Sequence, residues 1–140
     1  MRGSEDNSPE LYMFCHIAPE LSRLFRALPF YIAFRCYGLP KLGRNALHNV
    51  QCAEYLAELI LQQDDLELVV APQLSILCFR FRPVDTDAAA VDQVNTMIRD
   101  QIQLEGEFLM SATQVNGRPV LRVCIINPAT RAEHIEGLLD

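Results

Sequence analysis

Phe108-Leu-Met-Ser-Ala-Thr-Gln-Val-Asn-Gly-Arg-Pro-Val-Leu-Arg-Val-Cys-Ile-Ile126 decides the fold. Asn116-Gly117 separates two strand-like runs, Phe108–Val115 and Arg118–Ile126, and Asn-Gly is the pair that most readily takes the two positive φ angles of a tight hairpin turn. Alternate residues of a strand take opposite faces. Counting from Arg122, Val120, Cys124 and Ile126 share its face, while Leu121, Val123 and Ile125 take the other. Both faces are apolar around a single arginine. A guanidinium is costly to bury without an anion or good acceptors. Arg122 is therefore either a structural arginine paired with a carboxylate of the same fold or a residue that binds an external carboxylate.

Working upstream from the hairpin, Asp85-Thr-Asp87 is a capping cluster for a helix over Ala88–Glu105. Val91, Val94, Ile98 and Ile102 form its apolar stripe, and Gly106 suits the position just past its end. Before it, Leu66–Val70 reads as a short strand, Ala71–Gln73 as a connection and Leu74–Arg82 as a second strand. Leu77, Phe79 and Phe81 line one face of that strand; Ile76, Cys78, Arg80 and Arg82 line the other, with the two arginines on a solvated or interface face. Leu42, Ala46, Val50, Ala53, Leu56 or Ala57, and Ile60 recur at helical steps, giving an amphipathic helix over Leu42–Gln63 that Asp64-Asp65 ends. An N-terminal apolar helix is expected over Leu28–Tyr37, with Pro29 in its first turn and Gly38 at its end. Its apolar residues occupy nearly every side, so it should be buried all round or clamped between two bodies. Downstream, Thr130-Arg-Ala-Glu133 reads as a capping box opening a final helix with Ile135, Leu138 and Leu139. The expected fold is α+β: a four-stranded, mainly antiparallel sheet with about three helices packed on one face, plus the N-terminal apolar helix. Residues 1–20 read as a tail and 21–140 as one domain.

A formal net charge of −6 and a pI near 5.0, with no run of basic residues, argue against nucleic acid as a partner. Five scattered cysteines, 15, 36, 52, 78 and 124, fit reduced thiols and a cytoplasmic protein, with Cys78 and Cys124 as core residues. The histidines and cysteines form no ligand pattern, so no metal site is expected. Met1–Glu10 is polar and acidic, without the apolar core of a secretory signal, and no stretch has the length of a membrane span.

Catalytic patterns are sparse. The six glycines are isolated at turns and helix ends, which excludes a phosphate-cradling loop, and no G-x-S-x-G occurs. No cysteine–histidine pair is favoured as nucleophile and base. Glu105 and Glu107 read as a solvated helix end, His48 and His134 as helix-surface residues. Lys41 is the sole lysine, and its place after Gly38-Leu-Pro40 reads as an exposed loop, a poor setting for a low-pKa amine. Arg23, Arg26 and Arg35 flank the first helix and could dock it onto an acidic surface. Arg122 is the best candidate site.

Several stretches together resemble the pyridoxal-phosphate-dependent group II amino-acid decarboxylases, which include glutamate, aromatic-L-amino-acid and cysteine-sulfinate decarboxylases. They are Arg23-Leu-Phe-Arg-Ala-Leu28, Phe34-Arg-Cys-Tyr-Gly38, His48-Asn-Val-Gln-Cys-Ala-Glu-Tyr-Leu-Ala57, Leu77-Cys-Phe-Arg-Phe81 and Leu121-Arg-Val-Cys-Ile-Ile-Asn-Pro-Ala-Thr130, in family order. The resemblance implies the C-terminal small domain of that fold, with Arg122 as the arginine that reaches the active site and in some members binds the substrate carboxylate. It implies pyridoxal phosphate as the family cofactor, but the family's lysine, aspartate and phosphate loop have no counterpart in this sequence. The chain is thus expected to be catalytically inactive alone, with no catalytic, cofactor-binding or metal-binding residue of its own, and to self-associate or dock on a cofactor-binding domain. Two other readings remain: a stand-alone interaction or oligomerisation module, and a small-ligand-binding α+β domain without catalysis.

Overall fold

The structure, a computed structural model, describes residues 24–139. The expected tail at 1–20, together with Cys15 and Arg23, lies outside the described residues. The elements run α1 (Ala27–Leu61), β1 (Leu66–Gln73), β2 (Ile76–Phe81), α2 (Ala88–Glu105), β3 (Ser111–Val115), β4 (Arg118–Cys124) and α3 (Ala132–Glu136). The chain divides into two compact units, one ending at Gly38 and one beginning at Leu39.

Gly38 marks that division. It sits inside α1 with a non-helical backbone, φ 74° and ψ 156°, a region open to glycine and strained for other residues. Pro40 follows in the first turn after the break, where a missing N–H costs no helical bond. The sequence reading expected two helices with a loop carrying Lys41; the structure keeps Lys41 helical, on an exposed turn of α1. In the first unit the ring centroids of Phe30 and Phe34 are 6.1 Å apart. Phe30, Tyr31, Ile32 and Tyr37 are exposed, so burial all round, one of the two settings expected of this segment, is not found among the described residues.

The second unit is a four-stranded antiparallel sheet in the order β1-β2-β4-β3. Leu77 and Phe79 of β2 and Leu121 and Val123 of β4 point into one core with Cys52, Ala53, Leu56, Ala57 and Ile60 of α1 and Ile135 of α3. Ile98 and Ile102 of α2 pack against the same cluster, which places all three helices on one face. Only the second half of the α1 stripe reaches this core, since Ala46 is exposed and Val50 half-buried.

Local chemistry sets most boundaries. The Asp87 side chain accepts from the backbone N–H groups of Ala89 and Ala90, and Gly106 closes α2 in the left-handed region at φ 77°. Asn116 and Gly117 take φ 52° and 76°, the paired positive values of a type I′ turn, between the registered pairs Val115↔Arg118 and Ser111↔Arg122. The first hairpin departs from expectation. Its connection is Leu74-Ser75 rather than Ala71–Gln73, with Leu74 at φ 55°. Pro72 is tolerated in β1 because that strand lies at the sheet edge, and irregular register on both sides of Val70 shows where the ladder yields.

A second proline shapes the centre of the sheet. β2 and β4 pair from Ile76↔Cys124 to Phe79↔Leu121, and two residues further the register would set Phe81 against Pro119, which has no N–H to give. Asn95 of α2 fills the gap. Its Oδ1 accepts from the Phe81 N–H and its Nδ2 donates to the Phe81 carbonyl, each at 2.8 Å. The side-chain amide thus supplies the donor that β4 cannot offer to the Phe81 carbonyl, which accounts for an asparagine left only 2% exposed. Among the described residues, no helix is long and apolar enough to cross a membrane.

Candidate functional site

Of the strand arginines, it is Arg80 that the sheet pairs with a carboxylate. Arg80 is buried, with 7% of its side chain exposed, and its Nη2 lies 2.6 Å from Glu67 Oε2 while Nε donates to the same oxygen at 2.7 Å. Glu67 and Arg80 are direct cross-strand partners, which is how the sheet brings them together. Arg82, which is exposed, adds a longer contact to that oxygen at 3.2 Å. Burial alone would raise the Glu67 carboxyl pKa, but hydrogen bonds and charge from Arg80, then Arg82, outweigh it and hold the group below its usual value. The structural, carboxylate-paired strand arginine is therefore Arg80, which is buried within the domain rather than on the solvated or interface face expected for it.

Arg122 is exposed. Its cross-strand neighbours are Ser111 on β3 and Cys78 on β2. Nε donates to Ser111 Oγ at 3.0 Å. Among the described residues no carboxylate pairs with this guanidinium, so its terminal N–H groups remain available to an anion. Beside it lies a shallow groove lined by Leu109, Met110, Ser111, Cys124, Ile126 and Arg99. Arg99 has its charge met by Asp100. The site can hold one carboxylate against an apolar wall.

The cysteines divide by cover. Cys52 and Cys78 are buried, whereas Cys36 and Cys124 are exposed, so the core position expected for Cys124 is wrong. The Cys78 thiol is pushed up by burial, against a smaller opposing pull from Arg122. A cysteine–histidine contact missed in the sequence does exist: His48 and Cys52 are four apart on α1, with Nε2 and Sγ 3.6 Å apart. The spacing that places two helical residues on one face was the available signal. The same Nε2 lies 2.8 Å from the Thr130 carbonyl, which can only accept, so Nε2 carries the proton and cannot take one from the thiol. Burial also raises the Cys52 pKa. The pair joins α1 to the segment before α3 and is not an activated nucleophile.

His134 is exposed, and its Nδ1 accepts from the Arg131 N–H. The residue flanking α3 is Arg131, whose guanidinium has no acceptor, so the capping box expected to begin at Thr130 is not formed and only the His134 bond to the Arg131 N–H is present. Glu105 and Glu107 are both exposed.

The pyridoxal-dependent decarboxylase conserved domain matches residues 6–82, more than half of the sequence. The chain belongs to this family. It is 29% identical over 136 residues to an aromatic-L-amino-acid decarboxylase of Bacillus atrophaeus, covering 96% of this chain and 28% of the relative. It is 30% identical over 115 residues to tyrosine decarboxylase 2 of Arabidopsis thaliana, covering 82% of this chain and 21% of the relative. Among solved structures, Catharanthus roseus tryptophan decarboxylase in complex with L-tryptophan superposes with a TM-score of 0.72 at 29% identity, covering 84% of this chain and 25% of that one. The chain thus spans about a quarter of the length of its relatives, and the family is pyridoxal-phosphate-dependent.

The residues described do not fit that cofactor. Its chemistry needs a lysine amine held beside an anion seat. Arg122 and Ser111 offer anion donors, but the sole lysine of the chain is exposed on α1 and lines no part of their groove. No step through the cofactor is assigned to these residues.

Proposed function

We propose that this chain acts as the C-terminal small domain of a pyridoxal-phosphate-dependent amino-acid decarboxylase, inactive alone, in which Arg122 binds the substrate carboxylate. The single observation that carries this reading is an exposed strand arginine whose orientation is held by a hydroxyl while its terminal donors face no carboxylate of its own domain. A guanidinium recognises a carboxylate through two parallel N–H bonds, which fixes the direction of an amino acid as well as holding it. The protein is cytoplasmic in this reading. The partner is a cofactor-binding domain, and the exposed Phe30, Tyr31, Ile32 and Tyr37 supply an apolar face for it. The same exposed face favours a second reading, a stand-alone module that self-associates without catalysis.

The test is a chimera of the Bacillus atrophaeus decarboxylase in which this chain replaces the matching segment. Decarboxylation of L-amino acids should be retained, and Arg122→Ala should lower kcat/KM about 10- to 100-fold, the loss expected for one charge-assisted contact. A chimera indifferent to Arg122→Ala would remove the carboxylate role. A chimera that folds but never turns over, joined with concentration-dependent self-association of the isolated chain, would favour the second reading.

A further inference from the structure

We infer that Ser111 is a positioning residue that aims Arg122, so that a carboxylate is met end-on by the two terminal nitrogens. This deepens the proposed function and rests on Arg122 being a carboxylate site. A guanidinium can present a bidentate pair of donors along its Nε–Nη edge or across its two Nη atoms. Ser111 Oγ takes the Nε–H at 3.0 Å, which occupies the first edge and leaves the second. The two cross-strand neighbours of Arg122 are Ser111 and Cys78. Cys78 is a buried thiol and a weak acceptor. The hydroxyl of Ser111 is thus the neighbour able to fix the guanidinium plane.

The pairing Ser111↔Arg122 belongs to an unbroken register running to the Asn116-Gly117 turn. The anchor therefore sits on a rigid ladder. An unanchored arginine loses rotamer entropy when it is ordered by a ligand, and a pre-aimed one loses less. The neighbouring wall of Leu109, Met110, Cys124 and Ile126 suits a monocarboxylate with an apolar substituent.

The test titrates the isolated chain with 3-phenylpropionate, followed by NMR at the Arg122 Nε–Hε signal and the β3–β4 amides. The wild-type chain should show saturable shifts, and Arg122→Gln should abolish them. Ser111→Ala should weaken the Kd about three- to tenfold with the remaining amide spectrum unchanged, and Ser111→Thr, which keeps the hydroxyl, should restore it. An unchanged Kd in Ser111→Ala, or no recovery in Ser111→Thr, overturns the positioning role while leaving the Arg122 reading intact. Absence of saturable binding by the wild-type chain, or binding that survives Arg122→Gln, overturns the carboxylate site and the positioning role with it.

Discussion

Replacing Asn95 by leucine should destabilise the chain far more than the loss of one polar side chain on a helix suggests. Asn95 is 2% exposed and makes three hydrogen bonds: with the Phe81 N–H, the Phe81 carbonyl and the Val91 carbonyl, each at 2.8 Å. The Val91 carbonyl is the helical i−4 acceptor and keeps its backbone partner. Pro119 cannot donate to the Phe81 carbonyl, which is left without a partner in the leucine variant, whereas the Phe81 N–H can turn to the Pro119 carbonyl. Each unsatisfied buried backbone group costs about 1–3 kcal/mol. Leucine has similar volume and adds apolar contact, offsetting about 1 kcal/mol. The net expectation is a loss of about 1–2 kcal/mol in urea unfolding followed by circular dichroism. Pro119→Ala in the leucine background should recover part of that loss, because β4 then regains a donor opposite Phe81, and the double-mutant cycle isolates the coupling. Asn95→Asp adds a pH signature. Its carboxylate would face the Phe81 carbonyl, so the folded state favours the protonated form and the folded pKa is raised. That variant should be most stable below about pH 4, the unfolded aspartate value, and lose stability as pH rises from there. A cost below about 0.5 kcal/mol for Asn95→Leu, or none recovered by Pro119→Ala, would refute the amide as the donor that β4 lacks.

Glu67→Ala leaves the buried Arg80 guanidinium without its anion. Because Glu67 is itself 35% exposed, the usual cost of about 3–5 kcal/mol is screened to about 2–3 kcal/mol, measurable as a shift in the urea midpoint. The Glu67 pKa is depressed, so its contribution is present above the unfolded carboxylate value and lost as pH falls through the folded one; wild-type stability should drop in the acid range below about 4.5, and less so in Glu67→Gln. Gly117→Ala should cost about 1–2 kcal/mol, since φ 76° strains an L-residue even where open space surrounds it. Under native conditions Cys36 and Cys124 should react with a thiol reagent before Cys52 and Cys78, as mass spectrometry of the labelled peptides would show.

The elements legible in the sequence were those whose signals are local. Asp87 and Gly106 bracket α2 because a cap and a left-handed terminus depend on the residue itself, and Asn116-Gly117 fixes one hairpin for the same reason. The other hairpin was misplaced because Leu74, an unlikely residue for φ 55°, carries no turn signal, whereas Pro72 suggested a break that an edge strand absorbs. Identifying the buried arginine required the strand pairing. Arg80 and Arg122 both alternate with apolar neighbours, and only the register shows that Arg80 faces Glu67 while Arg122 faces Ser111. The partnership of Asn95 with Phe81 is likewise tertiary, joining a helix to a strand across a gap that Pro119 creates.

We propose that this chain carries an anion-binding wall and not the cofactor seat. The most direct test measures carbon dioxide release and retained visible absorbance after the isolated chain is incubated with pyridoxal phosphate and L-tyrosine, L-tryptophan or L-glutamate, then dialysed. The expected result is no turnover and no retained chromophore, in the wild type and in Lys41→Ala alike. Turnover by the isolated chain, with a stable chromophore that disappears in Lys41→Ala, would contradict the account.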